Sequence, residues 1–213
     1  MNGSKVDLFA AKGVLTPKDV SPWQTFSGKG MTFQLQSYDW NGTACVSHLS
    51  MRAFFGIMKM DTIICTPYSK DMPILSYDYI CAFGRCTLLL EVYDTLLQPV
   101  DLTSMTDVKA RYAGLKDKQN KPAWYDSLKM PPTLSKTGNP EQLSALTEEM
   151  INAYLRLFES AREVDHAPKN ERNSAFAEGL IKDGPAFRAV SQMIGVENAK
   201  ILFRRFIFGT ENP

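Results

Sequence analysis

Histidine is nearly missing from this chain: His48 and His166 are its two copies. So small a number excludes a histidine-rich metal site. Cysteine is scarce as well, with Cys45, Cys65, Cys81 and Cys86 the four present. None forms a C-x-x-C pair, so the tight spacing of zinc and iron–sulfur sites is lacking. All four lie in or beside apolar runs and are expected as buried, reduced thiols. Charge of one sign is also lacking: the net charge is +1, and no global field points to nucleic acid or an anionic membrane. A sum hides patches, and a local basic patch stays open. No apolar run reaches the ~20 residues of a membrane-spanning helix. Met1–Lys12 lacks the basic-then-apolar shape of a signal peptide. The expectation is a cytoplasmic protein with no membrane and no nucleic-acid partner.

Nucleotide and nucleophile motifs are missing too. The chain has no Walker A motif and no G-x-G-x-x-G, and hence no visible phosphate cradle. It has no G-x-S-x-G elbow, and no cysteine–histidine pairing stands out. The residues therefore point to no bound nicotinamide or flavin, and to no metal.

What is present is an ordinary globular composition. Of 213 residues, 44% are hydrophobic and 22% charged, which argues against disorder. Residues 1–30 have weak periodicity and are expected to be irregular, with one short helix at most. From Met31 to Thr95 the chain reads as strands: Thr32–Trp40, Thr43–Leu49, Asp61–Thr66, Ile74–Phe83 and Cys86–Thr95. Asn41-Gly42 marks a type I′ hairpin turn, since both residues tolerate positive φ. The Asn41-Gly42-Thr43 sequon is read as part of that turn. Gly84-Arg85 suits a type II′ loop with glycine first.

After Pro99 the pattern turns helical. Thr106–Leu115 and Ala123–Leu128 suit short helices, and Lys129–Pro140 reads as a loop. Glu141–Val164 carries Leu143, Leu146, Met150, Tyr154 and Leu157 along one face. Glu171–Ile181, Pro185–Ile194 and Glu197–Phe208 follow, with Gly195 as a stop between the last two. Strands followed by helices predict an α/β chain with a mostly antiparallel sheet. Helices on both faces would make it a three-layer α/β/α sandwich. No linker divides it, so 1–213 is expected as one domain.

One residue stands out. Asp78 lies in the middle of the apolar stretch ILSYDYICAF, where an unpaired charge is costly. It needs a partner, a proton, a metal or a ligand. With Gly84-Arg85 as the loop, Phe83 faces Cys86, Asp78 faces Glu91, and Ser76 faces Tyr93. Opposed residues share a face. Two neighbouring carboxylates cannot both ionise cheaply, so one should hold a proton near neutral pH. Such an acid beside hydroxyls is a natural proton donor. A structural Asp78, bonded to backbone or a buried lysine, is the alternative.

The stretch from Ser47 to Thr95, through SHLSMRAFFGIMKMDTIICTP and MPILSYDYICAFGRCTLLLEVYDT, resembles the ferredoxin-dependent bilin reductases. Their central sheet carries an "HLE" strand, a strand ending in proline, and an "LPLFGCD"-like stretch with the catalytic aspartate. The C-terminal IKDGPAFRAVSQMIGVENAKILFRRFIFG is similar to the family's closing pattern. Together these segments span a little over a third of the chain. Plant red chlorophyll catabolite reductases share the fold.

The resemblance implies an α/β/α sandwich that holds a linear tetrapyrrole (a bilin such as biliverdin) between sheet and C-terminal helices. It implies no cofactor of the protein's own. Reduced ferredoxin would supply electrons singly, and protein acids would supply protons through radical intermediates. The family's catalytic aspartate matches Asp78, and its second aspartate matches Asp183. Where the biliverdin-to-phycocyanobilin enzymes carry glutamate after "HL", this chain has Ser50; where they carry an active-site histidine, it has Thr62. His48 matches the first residue of "HL" and is read as structural. Glu91 is the acid that would replace the lost groups, with Ser76 and Tyr93 beside it. The implied activity is ferredoxin-dependent bilin reduction; the alternative is a non-catalytic tetrapyrrole carrier. Ferredoxin is acidic, so Lys200, Arg204, Arg205, Lys116, Lys118 and Lys121 are candidates for a docking face.

Overall fold

Alternating apolar segments between Leu15 and Gly138 pair into one nine-stranded sheet in the computed structural model, which describes residues 5–21 and 23–211. The strands are β1 (Leu15–Pro17), β2 (Thr25–Gly28), β3 (Met31–Trp40), β4 (Ala44–Ala53) and β5 (Met58–Pro67). They continue with β6 (Ile74–Ala82), β7 (Arg85–Tyr93), β8 (Lys116–Asp117) and β9 (Leu134–Gly138). Their order across the sheet is β1-β3-β4-β5-β6-β7-β9-β8, and β2 shares the outer edge of β3 with β1. Every one of these pairings is antiparallel.

Side chains alternate between the two faces of a strand, so each face has its own core. Leu75 and Tyr77 of β6, with Leu88 and Leu90 of β7, turn to one side. They meet Phe9 of α1 (Val6–Ala10), Met105 of α2 (Thr103–Arg111), and Leu146, Met150 and Tyr154 of α3 (Pro140–Ser160). The other face presents Phe33, Leu35, Met51, Ile74 and Tyr93. These pack against α4 (His166–Asp183), α5 (Pro185–Ile194) and α6 (Val196–Ile201) through Phe176, Phe187, Ala199 and their neighbours. A π-helical turn, Leu202–Ile207, continues α6 and adds Phe203 and Phe206. The three-layer α/β/α sandwich expected from the chain pattern is the observed architecture.

Several elements differ from the sequence reading, each for a local reason. The Lys129–Pro140 segment contains β9, whose central Lys136 is buried and bonds the Leu115 carbonyl at 3.0 Å. A lysine at an inward position breaks the apolar alternation that reveals a strand. Residues 1–30 contain α1, β1 and β2, all too short to show a period. Trp124–Leu128 is a 3₁₀ rather than an α segment, and α2 begins at Thr103.

Two of the cysteines are a correction. Cys81 and Cys86 form a disulfide, while Cys45 and Cys65 remain free and buried. The bonded pair occupies directly opposed positions of β6 and β7, with Cα atoms 4.2 Å apart. The expected register set Phe83 rather than Cys81 opposite Cys86, which concealed the pairing.

Candidate active site

The site is built on the β6–β7 hairpin. Phe83 (φ 51°) and Gly84 (φ 74°) both occupy the left-handed region, so they form the type I′ turn, in place of Gly84-Arg85. The pairing is therefore Ser76 with Glu91, Asp78 with Leu89, and Ile74 with Tyr93. This differs by two residues from the expected register, an even number, so every side chain keeps its face. Ser76, Asp78, Glu91 and Tyr93 do share the face toward α4–α6, but Glu91 is diagonal to Asp78 and directly opposite Ser76.

That face borders a cavity of about 370 Å³ between the sheet and the α4–α6 layer. Its walls are largely apolar, with Met31, Met51 and Met60 from the sheet and Phe176, Phe187 and Phe203 from the helices. The polar groups are few: Ser47, Thr62, Ser76, Asp78, Glu91 and Tyr93 on the sheet floor, with Tyr125 beside them. Pockets of this composition, with a few convergent polar groups, are ordinary small-molecule sites.

Asp78 accepts a hydrogen bond from the Thr62 hydroxyl on the neighbouring strand β5. Burial pushes its carboxyl up to about 6; the Thr62 bond opposes the shift and the Glu91 charge adds to it. No cation pairs with Asp78 among the described residues, so a proton is what relieves its burial.

Glu91 is handled differently. Its Oε1 lies 2.6 Å from Lys129 Nζ, and its Oε2 accepts the Tyr93 hydroxyl at 2.5 Å. Lys129 also pairs with Asp126 at 2.7 Å and lies 5.2 Å from the Tyr125 ring centroid. Burial pulls the lysine's pKa down, but the bonds to Asp126 and Glu91 outweigh it and raise it. The two acids are thus told apart by environment: Glu91 carries its own cation and Asp78 does not. Neither Lys129 nor Tyr125 was legible in the sequence. Both come from a non-periodic segment far along the chain, where the only hint was a lysine beside a Met-Pro-Pro run.

Other predicted residues lie elsewhere. Ser50 pairs with Gln34 and Asp61 on the opposite face of the sheet, outside the cavity lining. Alternation makes this inevitable, since its neighbours Leu49 and Met51 line the cavity. His48 shares Ser50's face and lies 3.4 Å from Asp61. Asp183 is exposed at the end of α4 and pairs loosely with Arg188 at 3.7 Å. The next residues, Gly184 to Phe187, border the cavity instead. Among the described residues, no three His, Cys, Asp or Glu side chains gather as a metal site. No described helix is long and apolar enough to cross a membrane.

The cations expected on the last helix are largely committed. Lys200 pairs with Glu197 at 2.8 Å, Arg204 with Glu178 at 2.6 Å, and Arg205 lies 5.5 Å from the Phe206 ring. Lys116, Lys118 and Lys121 are exposed.

No protein-family model matches the chain, and no curated protein matches it. A solved structure does: phytochromobilin synthase from tomato, in complex with biliverdin. The TM-score is 0.77 at 13% identity, over 97% of this chain and 82% of the tomato chain. The chain has the fold of phytochromobilin synthase. At that identity the likeness to phytochromobilin synthase is one of architecture, the same sandwich that the element order predicted.

Proposed function

We propose that the chain reduces a linear tetrapyrrole bound in the cavity between the sheet and α4–α6. The observation that carries this reading is Asp78, a carboxyl without a cation that titrates at about 6 on the floor of an apolar cavity. A carboxylic acid poised near neutral pH can give a proton to a bound substrate and recover it from solvent. Saturating one double bond takes two electrons and two protons. In this reading reduced ferredoxin supplies the electrons singly, with no cofactor resident in the protein. Asp78 delivers the first proton and, reprotonated from solvent, the second; Thr62 orients its carboxyl, and Ser76, Glu91 and Tyr93 hold the polar edge of the pigment. Lys129 pairs with Glu91 and not with Asp78, so the two acids have different partners. The fold shared with a biliverdin-bound phytochromobilin synthase supports the choice of ligand class.

A second reading, a tetrapyrrole carrier without turnover, is favoured by one observation: Asp183 lies outside the cavity lining, leaving Asp78 without a second protonatable aspartate there. The test is spectral. Purified protein should shift the absorption of biliverdin, then bleach or shift it again when given reduced ferredoxin under anaerobic conditions. Asp78→Asn should keep the first change and lose the second. A binding shift with no turnover in the wild type would favour the carrier. Absence of any shift would overturn both.

A further inference from the structure

Three hairpin turns lie side by side at one end of the sheet. They join β2 to β3 (Lys29-Gly30), β4 to β5 (Phe54–Ile57) and β6 to β7 (Phe83-Gly84). With strands ~4.8 Å apart, neighbouring turns are about 10 Å apart and form a row of prongs. Their apolar side chains are bare: Phe54 is 61% exposed, Phe55 109%, Ile57 53% and Phe83 78%. A monomer's scattered surface apolar residues need no explanation, but four gathered at the tips of adjacent turns do.

The backbone makes the arrangement more telling. Phe54 (φ 51°), Phe55 (φ 57°) and Phe83 (φ 51°) all stand in the left-handed region, where bulky residues are rare and strained. The same chain uses Asn41-Gly42 for a turn at the opposite end of the sheet, the low-strain choice. Phenylalanine at these tips costs both strain and exposure.

Around the prongs the charge is of one sign. The turns and the two strand residues on either side of each contain Lys29, Arg52, Lys59 and Arg85, and no acid. Arg52 and Lys59 are directly opposed on β4 and β5, a like-charge pair that weakens a sheet in isolation. Arg52, Lys59 and Arg85 are exposed and have no ion-pair partner among the described residues. Lys29 reaches only the neutral side-chain oxygen of Gln192. Arg52 and Lys59 lie on the face away from the cavity and Arg85 on the cavity side, so the cations flank the apolar tips from both faces of the sheet.

We propose that this end of the sheet docks on an anionic lipid bilayer, with Phe54, Phe55, Ile57 and Phe83 entering the interface and the four cations meeting the headgroups. Protruding aromatic tips with a basic collar fit a soft apolar layer beneath a negatively charged surface. An acidic protein partner would answer the cations alone; the bare apolar tips between them call for an apolar layer to enter. Contact of this kind is peripheral and needs no spanning helix.

The test is sedimentation with vesicles of phosphatidylcholine alone and of phosphatidylcholine with phosphatidylserine. The wild type should partition at least about tenfold more onto the serine-lipid vesicles, and salt should reverse it. The Phe55→Asn, Phe83→Asn double variant should lose that binding while folding normally, because asparagine suits the left-handed turn positions. Arg52→Gln with Lys59→Gln, on an exposed surface, should abolish the preference for serine lipid. Equal, weak retention on both vesicles would overturn the proposal, as would binding that survives the asparagine substitutions. So would a vesicle-free self-association that those substitutions abolish.

Discussion

Lys129 Nζ lies 2.6 Å from Glu91 Oε1, and the pair joins an irregular segment after the 3₁₀ turn to the sheet floor of the cavity. Both side chains are mostly buried, at 18% and 10% exposure. Removing one partner of such a pair strands the other's charge. Lys129→Met should therefore lower stability by about 2–4 kcal/mol at neutral pH. Adding Glu91→Gln should recover part of that loss. Urea denaturation of the two single variants and the double variant measures both effects, and additivity would show that the pair is not coupled.

Asp78 makes stability depend on pH with a definite sign. Its folded value, about 6, is above the ordinary 3.8, so between the two the folded state binds the extra proton. The contribution is full below the ordinary carboxylate range and is lost as pH rises through 6, by about 3 kcal/mol in all. Asp78→Asn keeps an oxygen to accept the Thr62 hydroxyl and carries no charge. It should be more stable than the wild type at pH 8 and indistinguishable below pH 4 (~3.8 being the unfolded carboxyl). Thermal melts at the two pH values decide this. Glu91→Gln should move the Asp78 titration downward, which carbon-13 NMR of the carboxyl reads directly.

The Cys81–Cys86 bond ties the end of β6 to the start of β7 across the Phe83-Gly84 turn. A short closed loop limits the unfolded chain modestly. Replacing both residues with alanine should cost about 2 kcal/mol. Reductant should destabilise the wild type by a similar amount and leave the double variant unchanged in denaturant titrations.

Gly209 (φ 61°) follows the π-helical turn, and a Cβ there would fall 2.6 Å from the Cys45 Cβ. Strain and collision act together at this position. Gly209→Ala should lose more than about 1 kcal/mol. The added Cβ presses on β4 below the π-helical turn, so hydrogen exchange in residues 202–208 should accelerate along with the drop in melting temperature.

Much of the sandwich was legible because its signals are local. Asn41-Gly42 announced a hairpin, and both residues take positive φ, although Thr43 joins them to make a three-residue loop between Trp40 and Ala44. The apolar stripe from Leu143 to Leu157 announced α3. β9 was hidden, because Lys136 occupies an inward position where a strand signal needs an apolar residue.

For the site, the amino-acid order by itself determined that Asp78 is a polar group inside an apolar strand, and that Ser76, Asp78, Glu91 and Tyr93 share one face. That conclusion survived a two-residue error in register because the side-chain period of a strand is two. Only the tertiary structure decided which carboxylate is neutralised. Glu91 receives Lys129 from a segment with no periodic signal, while Asp78 receives a neutral hydroxyl from Thr62 and its carboxyl is raised to about 6. The tertiary structure also left Asp183 in solvent. Spacing along a chain predicts which neighbours share a face, but the partner of a buried charge arrives from wherever the folded chain returns.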